Sequence, residues 1–171
     1  MRESEDFREF VLSRRVRLLK AAWLLTGDWH LAEDLVQVAL MKTYPHWPRV
    51  AADNPDAYVR KVLYTAHASW WRRRSSREIP TEIPPESSWV DDPSSASDDR
   101  VMAIAALGRL PARQRATIVL RFFEDLSTEE TATVLGCSVG TVKSQTSKAL
   151  AHLRAAGLEL DVESWSGVAH E

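Results

Sequence analysis

Two short amphipathic segments within residues 126–153, separated by a tight turn, constrain this fold more than any other feature of the chain. Ser127 followed three residues later by Glu130 predicts a capping box at the start of the first helix. Gly136 is placed to end that helix, and Ser138 to cap the next one. The pattern predicts a helix-turn-helix.

The second helix of this pair has two different sides. Its predicted core stripe is Val139, Val142, Thr146, Ala149, Leu150 and Leu153. Its candidate DNA-contacting residues are Thr141, Lys143, Ser144, Gln145, Ser147 and Lys148. Lys, Ser and Thr side chains can bond base edges or phosphates in the major groove. An ordinary helical hairpin with a solvated face is the alternative, but the glycine-containing turn favours DNA binding.

The charge is unevenly distributed along the 171 residues, although the net charge is only −2. Residues 1–78 and 100–156 each carry a net +4, whereas 79–99 carry −6 and 157–171 carry −4. A chain of this length suits one large or two small domains. The charge division favours two basic modules joined by an acidic tether.

Residues 79–99 contain half of the eight prolines and five serines, with no helical or strand period. This composition predicts a flexible linker that spans about 65 Å if extended and about 25 Å as a coil.

Helical periodicity dominates on both sides of this linker, and no segment alternates as a strand would. The predicted helices are 7–25, 29–44, 55–74, 99–108, 111–123, 127–135 and 139–155, with a proline-punctuated loop before Asn54. Asn54 and Pro55 resemble an N-cap followed by proline at the first helical position. We therefore expect an all-α protein made of two small helical domains.

The helix after Asn54 carries two stripes. The predicted core stripe is Val59, Val62, Leu63, Ala66 and Trp70. The second stripe is Arg60, Tyr64, His67, Trp71 and Arg74, next to Arg72 and Arg73. Aromatic rings among cations can stack unpaired bases, so this face is a candidate single-strand platform. In the alternative, both tryptophans belong to the core and the arginines only keep the helix end soluble.

The helix starting at Trp29 is expected to bury one side and to expose an acidic one. Its inward residues are Leu31, Leu35, Val38 and Ala39, and its outer residues are Glu33, Asp34 and Gln37. The outer group could dock a basic protein surface, but solvation alone is the simpler interpretation.

The residues give no positive sign of enzyme activity, of a cofactor or of a metal site. The five histidines lack ligand spacing, and there is no phosphate-binding glycine loop or nucleophile motif. The single Cys137 excludes an internal disulfide framework and is best interpreted as a small hydrophobe in a reducing compartment. Without a signal peptide or an apolar run of membrane-spanning length, we expect a cytoplasmic protein.

Five motifs, in order, resemble the extracytoplasmic-function sigma factors. They are Leu31-Ala-Glu-Asp-Leu-Val-Gln37, Asn54-Pro-Asp-Ala-Tyr-Val-Arg60, Trp70-Trp-Arg-Arg-Arg74, Leu110-Pro-Ala-Arg-Gln-Arg115 and Gly140-Thr-Val-Lys-Ser144. The resemblance implies a promoter-specific initiation factor, with 1–78 as sigma region 2 and 100–156 as region 4. It further implies binding to core RNA polymerase through the beta-prime clamp helices and the beta flap, to promoter DNA, and to an anti-sigma factor.

The same resemblance assigns roles to the candidate residues. Glu33, Asp34 and Gln37 would bind the clamp helices. The loop between Trp47 and Asp56 would capture a flipped base of the −10 element, the helix after it would aid melting, and the last helix would contact the −35 element. The acidic linker would thread the basic channel of the polymerase.

Three positions depart from the family pattern, namely Thr65, Gln145 and Ser147, so the promoter sequence cannot be copied from relatives. The tail 157–171 matches no family motif, and it could be disordered, regulatory or packed on either domain. A stand-alone helix-turn-helix regulator and a non-melting adaptor are the rival functions.

Overall fold

The computed structural model describes residues 2–77 and 98–158, and all regular structure in this part of the chain is helical. The chain divides into two compact units, Met1–Arg77 and Glu78–Glu171. Nearly all of the predicted linker, and the tail from residue 159, lie outside the described residues.

The first unit contains three long helices and a short one. They are α1 (Arg2–Thr26), α2 (Trp29–Thr43), α3 (Trp47–Val50) and α4 (Pro55–Arg77), with a 3₁₀ turn at Tyr44–His46. The predicted loop before Asn54 is therefore partly wrong. Pro45 and Pro48 each stand in the first turn of a helical segment, where a missing N–H is tolerated.

Local signals set the boundaries between these helices. Gly27 adopts a φ of 70° after α1, and the Asp28 side chain accepts a 3.0 Å hydrogen bond from the Leu31 N–H to cap α2. The predicted cap of α4 is confirmed, because Asn54 Oδ1 accepts from the Ala57 N–H at 3.0 Å.

Helix α1 begins five residues earlier than predicted, with Glu3 and Glu5 in its first turn, where carboxylates interact favourably with the helix dipole. Aromatic packing holds the part of α1 that follows. The ring centroids of Phe7 and Phe10 lie 5.0 and 5.1 Å from that of the buried Trp47 on α3. Arg14 and Asp56 add an ion pair of 2.7 Å between α1 and α4. These contacts fix the N-terminal half of α1 on α3 and α4.

The second unit contains α5 (Asp98–Arg109), α6 (Ala112–Ile118), α7 (Thr128–Leu135) and α8 (Val139–Ala155). Helix α5 begins at Asp98, within the segment predicted as linker. The α6 helix continues into a π turn over Val119–Phe123, closed by a 2.9 Å hydrogen bond from the Glu124 N–H to the Val119 carbonyl.

A buried arginine joins α5 to α6. Arg115 is only 2% exposed, and its guanidinium donates to the carbonyl oxygens of Leu107, Gly108 and Leu110 at 2.9, 2.9 and 3.0 Å. Carbonyls at a helix end have no partner within the helix, so Arg115 satisfies the C-terminus of α5. Burial lowers the pKa of Arg115 to about 10, which leaves it charged at neutral pH.

Candidate nucleic-acid and partner interfaces

The predicted caps hold α7 and α8 in a helix-turn-helix. Ser127 Oγ accepts from the Glu130 N–H at 3.0 Å while the Glu130 carboxylate accepts from the Ser127 N–H at 2.8 Å, which confirms the capping box. Gly136 ends α7 with a φ of 65°. Ser138 Oγ then accepts from the Thr141 N–H at 3.1 Å and starts α8.

The two sides of α8 are those predicted. Val142, Ala149 and Leu153 are buried, and the rest of the predicted core stripe is half-buried. Four candidate DNA-contacting residues are exposed and close together on the opposite side: Lys143, Ser144, Ser147 and Lys148. We call these four residues the recognition face.

The other two candidates on α8 are less available. Gln145 is half-buried, and so is Thr141, whose hydroxyl lies 2.9 Å from that of Ser138. Part of the hydrogen-bonding capacity of Thr141 is therefore used within the cap.

An open groove of about 290 Å³ overlaps one edge of the recognition face and is lined by seven residues: Arg121, Thr128, Lys143, Thr146, Ser147, Leu150 and Arg154. The sequence reasoning missed Arg121 and Arg154. Arg154 could have been found, because it follows Lys143 by eleven residues and lies on the same side of the helix. Arg121 could not have been found from the sequence, because it lies in the π turn, which sets the direction of its side chain.

The expected single-strand platform on α4 needs correction. Tyr64 and His67 are buried, with exposed fractions of 1% and 3%, so they cannot stack bases from the surface. The α4 helix packs against both α1 and α2, and a helix with two neighbours buries more than one stripe. The candidates left at its surface are Arg60 and Trp71, which are half-buried, and the exposed Arg72 and Arg73. The Arg74 side chain lies outside the described part.

The buried residues instead support this end of α4. The indole N–H of Trp71 donates to His67 Nε2 at 2.8 Å, and the Trp70 and Trp71 rings meet edge to face at 5.3 Å. Trp70 and Trp71 are both half-buried, so the expected division into one core and one surface tryptophan does not hold. Trp71 is held in a fixed orientation beside Arg72.

The acidic side of α2 is exposed as predicted, with Glu33, Asp34 and Gln37 all at the surface. Val38 was expected to point inward but is 40% exposed, because Ala32, Leu35, Val36 and Ala39 fill the buried side. Met41, one turn further on, is 74% exposed. The surface thus combines carboxylates with apolar side chains, and methionine is enriched at protein interfaces. We call Glu33, Asp34, Gln37, Val38 and Met41 the α2 face.

A small cavity of about 160 Å³ lies between the α2 face and α4. Leu31, Leu35, Ala66 and Trp70 form its apolar walls, and Lys42 and Arg73 also line it. The α2 face is therefore adjacent to the end of α4 that carries the exposed Arg72 and Arg73. We call this part of the helix the cationic end of α4.

Other classes of site are not found in the described ranges. No group of three His, Cys, Asp or Glu side chains within 2–77 and 98–158 could hold a metal ion. No described helix is long and apolar enough to cross a membrane. Cys137 is a half-buried free thiol in the turn between α7 and α8.

Comparison with known proteins gives concordant matches. The sequence profile described as sigma-70, region 4, matches residues 100–153. The chain is 44% identical over 150 residues to the RNA polymerase sigma-E factor of Streptomyces avermitilis, covering 87% of this chain and 83% of that protein. It is 35% identical over 153 residues to the ECF RNA polymerase sigma factor SigL of Mycobacterium tuberculosis, covering 85% of each.

A solved structure is similar as well. The sigma factor RpoE of Bartonella quintana, crystallised in complex with the anti-sigma factor NepR, superposes with a TM-score of 0.66 at 27% identity. The match covers 89% of this chain and 96% of that one.

Proposed function

Because this chain belongs to the extracytoplasmic-function family of RNA polymerase sigma factors, we propose that its three surfaces divide the work of promoter-specific initiation. The α2 face binds core polymerase, the recognition face of α8 contacts the −35 element as duplex, and the cationic end of α4 holds the opened −10 region. The protein acts in the cytoplasm with the polymerase and has no catalysis of its own.

The observation that carries this proposal is the recognition face. Lys143 and Lys148 are exposed beside two serines on a helix whose start is fixed by a hydrogen-bonded cap. An ammonium group on a rigid helix can bond a guanine edge or a phosphate in the major groove. This helix lies within the region 4 match at residues 100–153.

At the −10 element, Arg72 and Arg73 supply positive charge and Trp71 supplies an aromatic surface. Arg72 Nη2 and Arg73 Nε lie 3.3 Å from the hydroxyl and the carbonyl oxygen of Ser69, respectively, so both arginines stay near the helix. Extruding a base costs a few kcal/mol. Phosphate contacts and base stacking in the polymerase complex would offset this cost.

The α2 face supports binding of a protein rather than of DNA. Its carboxylates would be repelled by phosphates, while Val38 and Met41 supply apolar area that binding could bury. We propose that it docks on the beta-prime clamp helices and that an anti-sigma factor, the kind of partner captured with the Bartonella RpoE, covers it in the silenced state. The beta flap would be bound by the second unit.

Transcription with core polymerase on a promoter mapped after induced expression tests the proposal. Lys148→Ala should weaken promoter binding by about 1–3 kcal/mol if Lys148 contacts a base, with the exposed Arg113→Ala in the same unit as control. Arg72→Ala with Arg73→Ala should reduce permanganate-detected opening and leave −35 protection intact. Unchanged opening would refute the role of α4.

The polymerase contact has its own test. Glu33→Lys with Asp34→Lys should abolish co-elution with core polymerase, whereas Glu9→Lys, at an exposed carboxylate on α1, should leave it unchanged. If the purified chain neither binds polymerase nor changes where transcripts start, yet dimerises and binds DNA tightly, it is a conventional regulator instead.

A further inference from the structure

The chain leaves α8 in a defined direction. Gly157 adopts a φ of 82°, its N–H donates to the Arg154 carbonyl at 2.9 Å, and the Leu158 N–H donates to the Leu153 carbonyl at 2.9 Å. These two hydrogen bonds form a Schellman motif, which ends the helix and reverses the chain. Leu158 therefore lies beside the last turn of α8, which carries Arg154.

The groove next to this exit is cationic. Arg121, Lys143 and Arg154 line it, Leu150 gives it an apolar part, and none of its lining residues is acidic. Arg121 also donates to the Leu126 carbonyl, which fixes its guanidinium but leaves its charge in place. The charge of the groove suits an anionic ligand, and the groove shares Lys143 and Ser147 with the recognition face.

The sequence that follows is its electrostatic complement. Residues 159–171 contain four carboxylates and no Lys or Arg. Three of the carboxylates alternate with apolar residues in the order Glu159, Leu160, Asp161, Val162, Glu163. In an extended chain, alternate residues share a side, so this spacing can place all three carboxylates against one surface.

The lengths also match. Arg154 and Lys143 are eleven residues apart on α8, which is about 17 Å along the axis. Five extended residues span about 17 Å. A segment tethered next to its site has an effective concentration in the millimolar range, so even weak exposed ion pairs can hold it part of the time.

We propose that residues 159–163 bind in the groove of their own unit, with their carboxylates on Arg154, Arg121 and Lys143, and compete there with DNA phosphates. The competition rests on the proposed DNA contact of α8, but the tail contact does not. Free in solution, the factor would be shielded from non-specific DNA. A promoter held by the polymerase complex would displace the tail.

Zero-length carbodiimide cross-linking of the full chain, mapped by mass spectrometry, tests the contact. We expect intramolecular amide bonds from Lys143 to Asp161 or Glu163 in the monomer. Lys148, on the same helix but outside the groove lining, is the internal control. Cross-links to Lys143 no more frequent than those to Lys148, or found mainly on Lys42 and Lys61, would overturn the proposal.

Duplex binding tests the competition. With a short fluorescent DNA duplex at low salt, a chain ending at Leu158 and a chain with Glu159→Gln, Asp161→Asn and Glu163→Gln should each bind about three- to tenfold more tightly than the full chain. Glu171→Gln, distant from the alternating segment, is the matched control. The difference should disappear at high salt, where the ion pairs are screened.

The outcomes separate the two proposals. Equal affinity of the full, truncated and neutralised chains overturns the tail competition while DNA binding by α8 stands. If no variant binds the duplex but the Lys143 cross-links persist, the DNA-binding role of α8 fails and the tail contact remains.

Discussion

Replacing Arg115 by methionine should destabilise the second unit strongly while leaving the first unit unchanged. Methionine keeps an unbranched apolar stem but is shorter than arginine, so the substitution removes the guanidinium and leaves a small buried space in its place. It cannot remove the acceptors, because the carbonyls of Leu107, Gly108 and Leu110 belong to the backbone. Replacing a buried ion pair by apolar residues can be harmless when both partners change, but here one partner remains.

The expected loss is about 3–5 kcal/mol. Each hydrogen bond from a charged donor contributes roughly 1.5–3 kcal/mol. The Leu107 carbonyl also accepts from the Leu110 N–H at 3.1 Å, so it keeps a partner and reduces the sum. A unit of about 60 residues has a total stability on the order of 3–9 kcal/mol. The variant should therefore populate an unfolded second unit.

Hydrogen exchange of the full chain measures this loss, because it reports each unit separately whereas a single melting curve does not. The opening free energy measured for amides of α6 and α8 should fall by about 3–5 kcal/mol. The opening free energy for amides of α1 and α4 should stay the same. Arg113→Met, at an exposed position of the same helix, is the control. A loss below about 1 kcal/mol for Arg115→Met would refute the capping role.

Arg115 should add no pH dependence in the neutral range. Burial gives Arg115 a folded pKa of about 10, below the usual pKa of an arginine, so the folded state binds fewer protons than the unfolded state only at pH values from about 10 upward. Stability from this group therefore rises with pH above about 10 and is flat between pH 5 and 8. Urea midpoints of the second unit measured from pH 5 to 8 should change in parallel for the wild-type chain and Arg115→Met.

Turn and cap positions in the second unit give four further predictions, each measured by exchange of α7 and α8 amides. Gly136→Ala should cost about 1–2 kcal/mol, because a φ of 65° strains any residue with a Cβ, even though no atom lies within 4 Å of the added Cβ. Gly140→Ala, within α8, should instead be neutral or stabilising by up to about 1 kcal/mol. Asp125→Gly should stabilise by about 0.5–1 kcal/mol, because Asp125 has a φ of 54°, and an unchanged or lower stability would contradict this. Ser127→Ala should lose about 1 kcal/mol with its cap hydrogen bond, and equal protection of α7 in both proteins would contradict it.

Features that depend on neighbouring residues in the sequence could be predicted. The caps at Ser127, Ser138 and Asn54 each join residues three positions apart, so the sequence contains everything that the geometry needs. The two sides of α8 were also predictable, because one face of this helix meets the rest of its unit and the other meets solvent.

Features that depend on several packing partners could not be predicted from the sequence. Tyr64 and His67 belong to a largely polar stripe yet are buried, because two helices pack on α4. Val38 has an apolar side chain yet lies at the surface, because Ala32, Leu35, Val36 and Ala39 already fill the buried side of α2. In the sequence, Arg115 resembles an ordinary surface cation, because only the folded structure shows that the end of α5 lies beside it. In each case the deciding information is tertiary.

The π turn at Val119–Phe123 has a consequence for the orientation of the recognition helix. A π turn contains one residue more than an α-helical turn, and one residue corresponds to a rotation of about 100° around a helix axis. Deleting a single residue here would remove the π turn and change the direction in which the chain leaves this helix. Because α7 and α8 both follow this exit, and α8 must still pack on α6, length changes in this turn should be tolerated less well than substitutions.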